Sequence, residues 1–258
     1  MCGSCGCEQP GHGEHEHEHE HQDAHHGHVV SLEERVLDKN RRLAEENRGW
    51  LRRHAITLVN LMSSPGSGKT TLLERTVADL RAERSVCVIE GDQATPFDAD
   101  RIRAAGCPAV QINTGAGCHL DAVMVAGALR ELEPEPGSVV FVENVGNLVC
   151  PAMFDLGEDH RAVVMSVTEG IDKPLKYPHM FRTADVVLLN KIDLLPYVDF
   201  DPLLFDARVR AVNPDVEVVR ISATKGQGLD AWYGWLDERS RQLSAAMDTA
   251  AVREGSAR

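Results

Sequence analysis

The sequence predicts an α/β fold: a mostly parallel sheet sandwiched by helices, preceded by a flexible Cys/His-rich tail. Three observations predict it. Seven short runs rich in Val, Ile and Leu recur from residue 55 onward, apolar on both faces, as strands buried between helices must be. Helical stretches separate most of them, for example 70–82 and 119–132. The first run passes through a glycine-rich turn, "SSPGSGKTT", directly into a helix, which is the context of a phosphate-binding loop.

The chain opens "MCGSCGCEQPGHGEHEHEHEHQDAHHGH", with three cysteines in seven residues and then eight histidines between positions 12 and 28. Residues 1–30 contain almost no large apolar side chains and cannot build a core, so a flexible metal-binding tail is expected. Histidine alternating with Glu behind a cysteine cluster is not the pattern of a purification tag. Ser31 with Glu34 reads as a capping box, which predicts a helix from about 31 to 50 within an N-terminal helix and linker, 31–54. The strands follow at 56–62, 85–92, 109–115, 138–146, 161–170, 184–193 and 216–223. An amphipathic helix from about 228 to 246 closes the P-loop domain, 55–248, and residues 249–258 read as a frayed terminus.

With 258 residues, 43% of them apolar and 26% charged, the chain suits one large domain plus a tail. Its net charge of −13 without a basic stripe argues against nucleic acid and fits small cations. No run approaches the roughly 18 apolar residues of a membrane span, and the N-terminus lacks the pattern of a signal peptide. The expectation is a cytoplasmic protein whose seven cysteines serve as metal ligands or core residues rather than disulfides.

The candidate nucleotide site starts at the phosphate loop. The pattern Gly-x-x-x-x-Gly-Lys-Ser/Thr ends here in Gly68-Lys69-Thr70, although its first position is Ser63. Gly66, Ser67 and Gly68 let successive N–H groups close around phosphate oxygens at a helix N-terminus that continues into Thr71. Lys69 is expected to reach the β- and γ-phosphates and Thr70 to ligate Mg²⁺. Downstream, "NKID" supplies Asn190, Lys191 and Asp193. The Asp193 carboxylate can accept from guanine N1–H and N2–H₂, bonds that adenine cannot supply, so GTP and GDP are the expected ligands. "ISATKG" adds Ser222 and Ala223 behind the base. Asp92, ending "IEGD", and Glu143, in "VENVGN", are acids at strand ends. With Lys69 they form the candidate catalytic set, able to meet Mg²⁺ or the attacking water. No arginine finger is evident, so turnover is expected to be slow.

A second constellation joins adjacent Cys118 and His119 to Cys150, which follows the Glu143 segment. Thiolate with imidazole suits Ni²⁺ or Zn²⁺. Cys87 and Cys107 read as small buried hydrophobes.

The tail, the phosphate loop and the Cys-His pair together resemble the hydrogenase nickel incorporation GTPases, the HypB family of SIMIBI-class P-loop proteins. "NTGAGCHLDA", "FVENVGNLVCP" and "DKPLKYP" carry the same resemblance, which covers the whole chain. It implies that Cys2, Cys5 and Cys7 form a tight nickel site. It also implies a GTP-promoted homodimer with a second metal site, Cys118, His119 and Cys150, near its interface. The implied activity is GTP-dependent delivery of nickel to the hydrogenase large subunit, alongside a HypA-family nickel chaperone. One alternative is a urease-accessory nickel GTPase, whose Cys-Pro-His motif differs from the adjacent Cys118-His119. Another is a nickel storage protein with a vestigial GTPase, against which the intact Lys69-Thr70 and Asn190-Lys191-Asp193 count.

Overall fold

The computed structural model describes residues 20–92, 97–115 and 117–255. A long helix, α1 (Glu20–Arg53), precedes an alternation of strands and helices. In order these are β1 (Thr57–Ser63), α2 (Lys69–Leu80), β2 (Val86–Asp92), α3 (Phe97–Ala104), β3 (Ala109–Asn113) and α4 (Ala122–Leu132). There follow β4 (Val139–Glu143), α5 (Cys150–Met153), β5 (His160–Ser166), α6 (Lys173–Lys176), α7 (Pro178–Arg182) and β6 (Val186–Asn190). A 3₁₀ turn (Ile192–Tyr197), α8 (Pro202–Val212), β7 (Glu217–Arg220) and α9 (Leu229–Gly255) complete the chain.

All seven expected strands form, in the order β3-β2-β4-β1-β5-β6-β7, and every neighbouring pair is parallel. Their double-sided apolar character has its cause in the layering. On one face, Val59, Leu61 and Phe141 pack with Leu72, Leu73 and Val77 of α2 and with Trp232 and Trp235 of α9. On the other, Met62, Val163 and Leu189 meet Phe181 of α7 and Phe205 of α8. Leu58 and Val142 on that face meet Leu51 of α1 and Leu129 of α4. Successive β1 residues therefore serve opposite cores, and the whole strand is buried. Cys87 and Cys107 fill these cores as expected, and burial pushes the Cys107 thiol up to about 12.

The ends of the chain differ from expectation. Helix α1 begins at Glu20, so Ser31 lies inside it and is no N-cap; no proline interrupts residues 20–53, and the box pattern alone does not stop a helix already under way. Residues 20–30, read as tail, are helical. Two compact units divide at Lys39–Asn40, and the second, Asn40–Arg258, takes in the last turns of α1, which the sequence placed in a helix and linker (31–54) ahead of the P-loop domain. Helix α9 extends to Gly255 rather than ending near 246. Among the described residues no helix is long and apolar enough to cross a membrane.

Candidate nucleotide and metal site

Parallel strands deliver their following loops to one edge, and a crevice opens there because β1 sends β4 to one side and β5 to the other. The crevice is a cavity of about 550 Å³ lined by the β1–α2 loop, the ends of β2 and β4, and Lys191. Gly66 and Gly68 take positive φ, 75° and 97°, which turns the loop into α2. A Cβ on Gly68 would stand 2.6 Å from Asn190 Nδ2, so the loop and the "NKID" turn approach as only glycine permits.

Those two motifs are tied together directly. Asn190 Nδ2 donates to Ser67 O (3.0 Å), and Lys191 Nζ donates to Gly66 O (2.7 Å). Asn190 Oδ1 accepts from Lys191 N and from Ala223 N (3.1 Å), which brings in the third motif. Asp193 Oδ1 accepts from Ser222 Oγ at 2.6 Å. Three segments, the first more than 120 residues before the second, thus form one hydrogen-bonded rim. Thr71 also lines the cavity.

Ser63, the departure from the motif, is fully buried, and its Oγ accepts from Lys69 Nζ at 2.7 Å. Its hydroxyl holds the ammonium that the motif needs. Thr70 Oγ1 donates to Glu143 Oε1 (2.8 Å), so the expected Mg²⁺ ligand and the acid at the end of β4 are in contact. Asp92 lines the same cavity from the end of β2.

Sequence reasoning missed Glu90. It lies directly across from Glu143 in the β2·β4 register, and the two are 2% and 4% exposed. Glu90 Oε2 and Glu143 Oε2 have no hydrogen-bond donor among the described residues. Burial and the facing Glu143 raise the Glu90 carboxyl to about 10, and burial also raises Glu143, so the pair shares a proton. Two orphaned carboxylate oxygens beside Thr70 and Lys69 make a donor set suited to Mg²⁺. The available signal was an acid at a buried position of "VCVIEGD". Asp98 and Arg101 of α3 also line the cleft; Arg101 is held by Glu74 (2.9 and 2.7 Å) and by Asp98 (3.1 Å).

Cys118, His119 and Cys150 come together as expected from their strand-end positions. One ligand atom from each lies within 4.8 Å of the others. Cys118 Sγ is 3.6 Å from His119 Nδ1, and the His119 ring stacks on Phe154 with centroids 3.8 Å apart. Burial lowers the His119 pKa, which favours the neutral imidazole that a metal requires. The hydrogen bond with Cys118, then burial, raises Cys150. The donor set, two thiols and an imidazole, fits a soft or borderline divalent cation. Asn144, next to Glu143, accepts from Leu120 N (3.3 Å), one residue past His119. Gly146 packs on the phosphate loop, where a Cβ would meet Pro65 Cα at 3.0 Å. Cys2, Cys5 and Cys7 lie outside the described residues.

Residues 57–220 match the family described as "CobW/HypB/UreG, nucleotide-binding domain". The chain is 55% identical to the hydrogenase maturation factor HypB of Azotobacter vinelandii, over 88% of this chain and 74% of that one. It is 53% identical to HypB of Escherichia coli K12, over 83% and 79% respectively. Among solved structures it resembles HypB from Helicobacter pylori in complex with nickel. The TM-score is 0.74 and the identity 39%, with 79% of this chain and 96% of that one covered.

Proposed function

Because the chain belongs to the CobW/HypB/UreG family, we propose that it is a GTP-hydrolysing nickel chaperone serving the maturation of NiFe-hydrogenase. One observation carries this reading: a phosphate loop bonded to a guanine-type rim shares the β4 segment with a Cys-His-Cys cluster. With nucleotide bound, Lys69, now bonded to Ser63, would pair with the β- and γ-phosphates, and Thr70, now bonded to Glu143, would serve as a metal ligand. Mg²⁺, when bound, neutralises charge on the phosphate oxygens. Glu143 and Glu90 would hold its coordination sphere, Asp92 would orient the attacking water, and Asp193, steadied by Ser222, would read guanine.

Nickel is the cargo, with Zn²⁺ a competing occupant, at Cys118, His119 and Cys150 and at the Cys2, Cys5 and Cys7 cluster. Val123, Met124, Val149 and Met153 are exposed around the internal cluster, which supports a second copy docking there when GTP is bound. A HypA-family chaperone and the hydrogenase large subunit are the further partners, in the cytoplasm. Deleting the gene should abolish hydrogenase activity, and excess nickel should restore it. Loss that nickel cannot reverse would contradict delivery.

A further inference from the structure

The Cys-His-Cys cluster is assembled from two separate segments, the loop before α4 and the start of α5, and something must hold them in register. Among the described residues the segments touch one another through the His119–Phe154 stack, a 3.5 Å bond from Asn147 Nδ2 to Cys118 O, the Leu120 N bond to Asn144 Oδ1 and the contact between Cys118 and Cys150, all of them close to the cluster itself. A site of metal-ligand precision needs support to within about 0.5 Å.

That support comes from α1. Asn40 Oδ1 accepts from Ala122 N (2.9 Å), three residues past His119, while Asn40 Nδ2 donates to Asp155 O (2.7 Å), five residues past Cys150. Asn47 Nδ2 donates to both sides as well, to Ala122 O (2.9 Å) and Leu156 O (3.0 Å). Each amide therefore spans the same two segments, and the two residues lie seven apart, on one face of the helix. Both are buried, 6% exposed. Arg48 adds a two-pronged pair to the Asp155 carboxylate (2.7 and 2.9 Å). The helix backbone also lies close to the second segment, since a Cβ on Gly157 would stand 2.5 Å from Ala44 O.

We infer that Asn40 and Asn47 are positioning residues of the Cys118–His119–Cys150 site, which makes α1 the splint that sets its metal affinity and geometry. The inference rests on the metal reading given above. Two asparagines that merely satisfied buried backbone groups would support stability without touching the metal. A splint must alter the metal itself. Asn47→Ala removes both Nδ2 bonds at once. Asn40→Asp keeps the acceptor for Ala122 N and removes the donor to Asp155 O, loosening only the Cys150 side.

The test uses the full chain with Cys2, Cys5 and Cys7 changed to Ser, so that thiolate-to-metal charge-transfer absorption reports the internal cluster alone. Ni²⁺ and Co²⁺ are titrated into this parent and into Asn47→Ala, Asn40→Asp and Arg48→Gln, with GDP affinity and melting temperature measured alongside. The expected result is at least a tenfold loss of Ni²⁺ affinity and an altered Co²⁺ spectrum in the two Asn variants, with GDP affinity held within twofold. If an Asn variant does not fold, Arg48→Gln carries the test, since it leaves both amides in place and should still weaken Ni²⁺ several-fold. Affinity and spectra equal to the parent's, whatever the melting temperature, would overturn the inference. Cys150→Ser in the same background separates the two claims: an unchanged band there would sink the cluster reading itself.

Discussion

At the scale of single residues, the Glu90–Glu143 pair is the feature with the clearest chemical consequence. Above the ordinary carboxyl value of 4.5 the unfolded chain releases a proton that the nucleotide-free fold retains on the Glu90–Glu143 pair, because burial and the facing carboxyls raise both groups. The folded state binds more protons throughout that window, so this pair's contribution to stability is greatest at low pH and falls as pH rises, by about 1.4 kcal/mol per pH unit for one proton. Glu90→Gln preserves the shape and the hydrogen-bond donor without the titration. Urea unfolding at pH 6 and pH 9 should show a flatter pH slope in Glu90→Gln than in the unmodified, nucleotide-free protein. Equal slopes would place the proton elsewhere. Asp193→Asn should weaken preference for GTP over ATP, measured by competition for turnover, because the carboxylate proposed to accept from guanine is lost. Lys69→Ala should abolish turnover outright.

Residues also show where reading a sequence stops. Lys69, Thr70, Asn190 and Asp193 were legible as candidates because their motifs have fixed spacing, and the fold gathers those motifs at one crevice. Glu90 was not, because its importance comes from lying opposite Glu143, and register between β2 and β4 is a tertiary fact. Ser63 looked like a flaw in the motif and is instead the acceptor for Lys69.

At the scale of elements, the strands were readable because burial on both faces leaves an unbroken apolar run, and each of the seven formed within a few residues of its expected place. Short helices such as α5, α6 and α7, with four or five residues, carry too little periodicity to be seen. Helix α1 was misjudged at its start for a related reason. A capping pattern marks a start only where the preceding backbone is not already helical, and residues 20–30 before Ser31 are. The joint between the phosphate loop and β6 is the element-level contact most open to test. Gly68→Ala places a Cβ 2.6 Å from Asn190 Nδ2 at φ 97°, which strains the backbone by about 1–2 kcal/mol and pushes the rim away. Nucleotide affinity should fall at least tenfold, by calorimetric titration of GDP, while metal binding by the N-terminal cysteines is untouched. Full affinity in Gly68→Ala would mean that the loop and the rim are independent.

At the scale of the whole molecule, two sites share one strand end. Glu143 touches Thr70, Asn144 holds Leu120 beside the Cys118-His119 pair, Gly146 packs on Pro65, and Cys150 follows four residues later. On the proposed function, a γ-phosphate that draws this segment toward the loop should strain the Cys150 side of the cluster against the Cys118 side. Nucleotide and metal would then be linked reciprocally, with a coupling of about 1–3 kcal/mol typical of such systems. Cys150→Ala should remove the coupling and leave GTP turnover within a few-fold of normal.

The most direct measurement is a titration of Ni²⁺ into the full chain carrying Ser at positions 2, 5 and 7, once with GDP bound and once with a non-hydrolysable GTP analogue. Internal-site affinities should differ by at least fivefold between the two states, with nucleotide affinities shifted by the same factor when metal is present. Identical metal affinities in both nucleotide states would contradict this coupling.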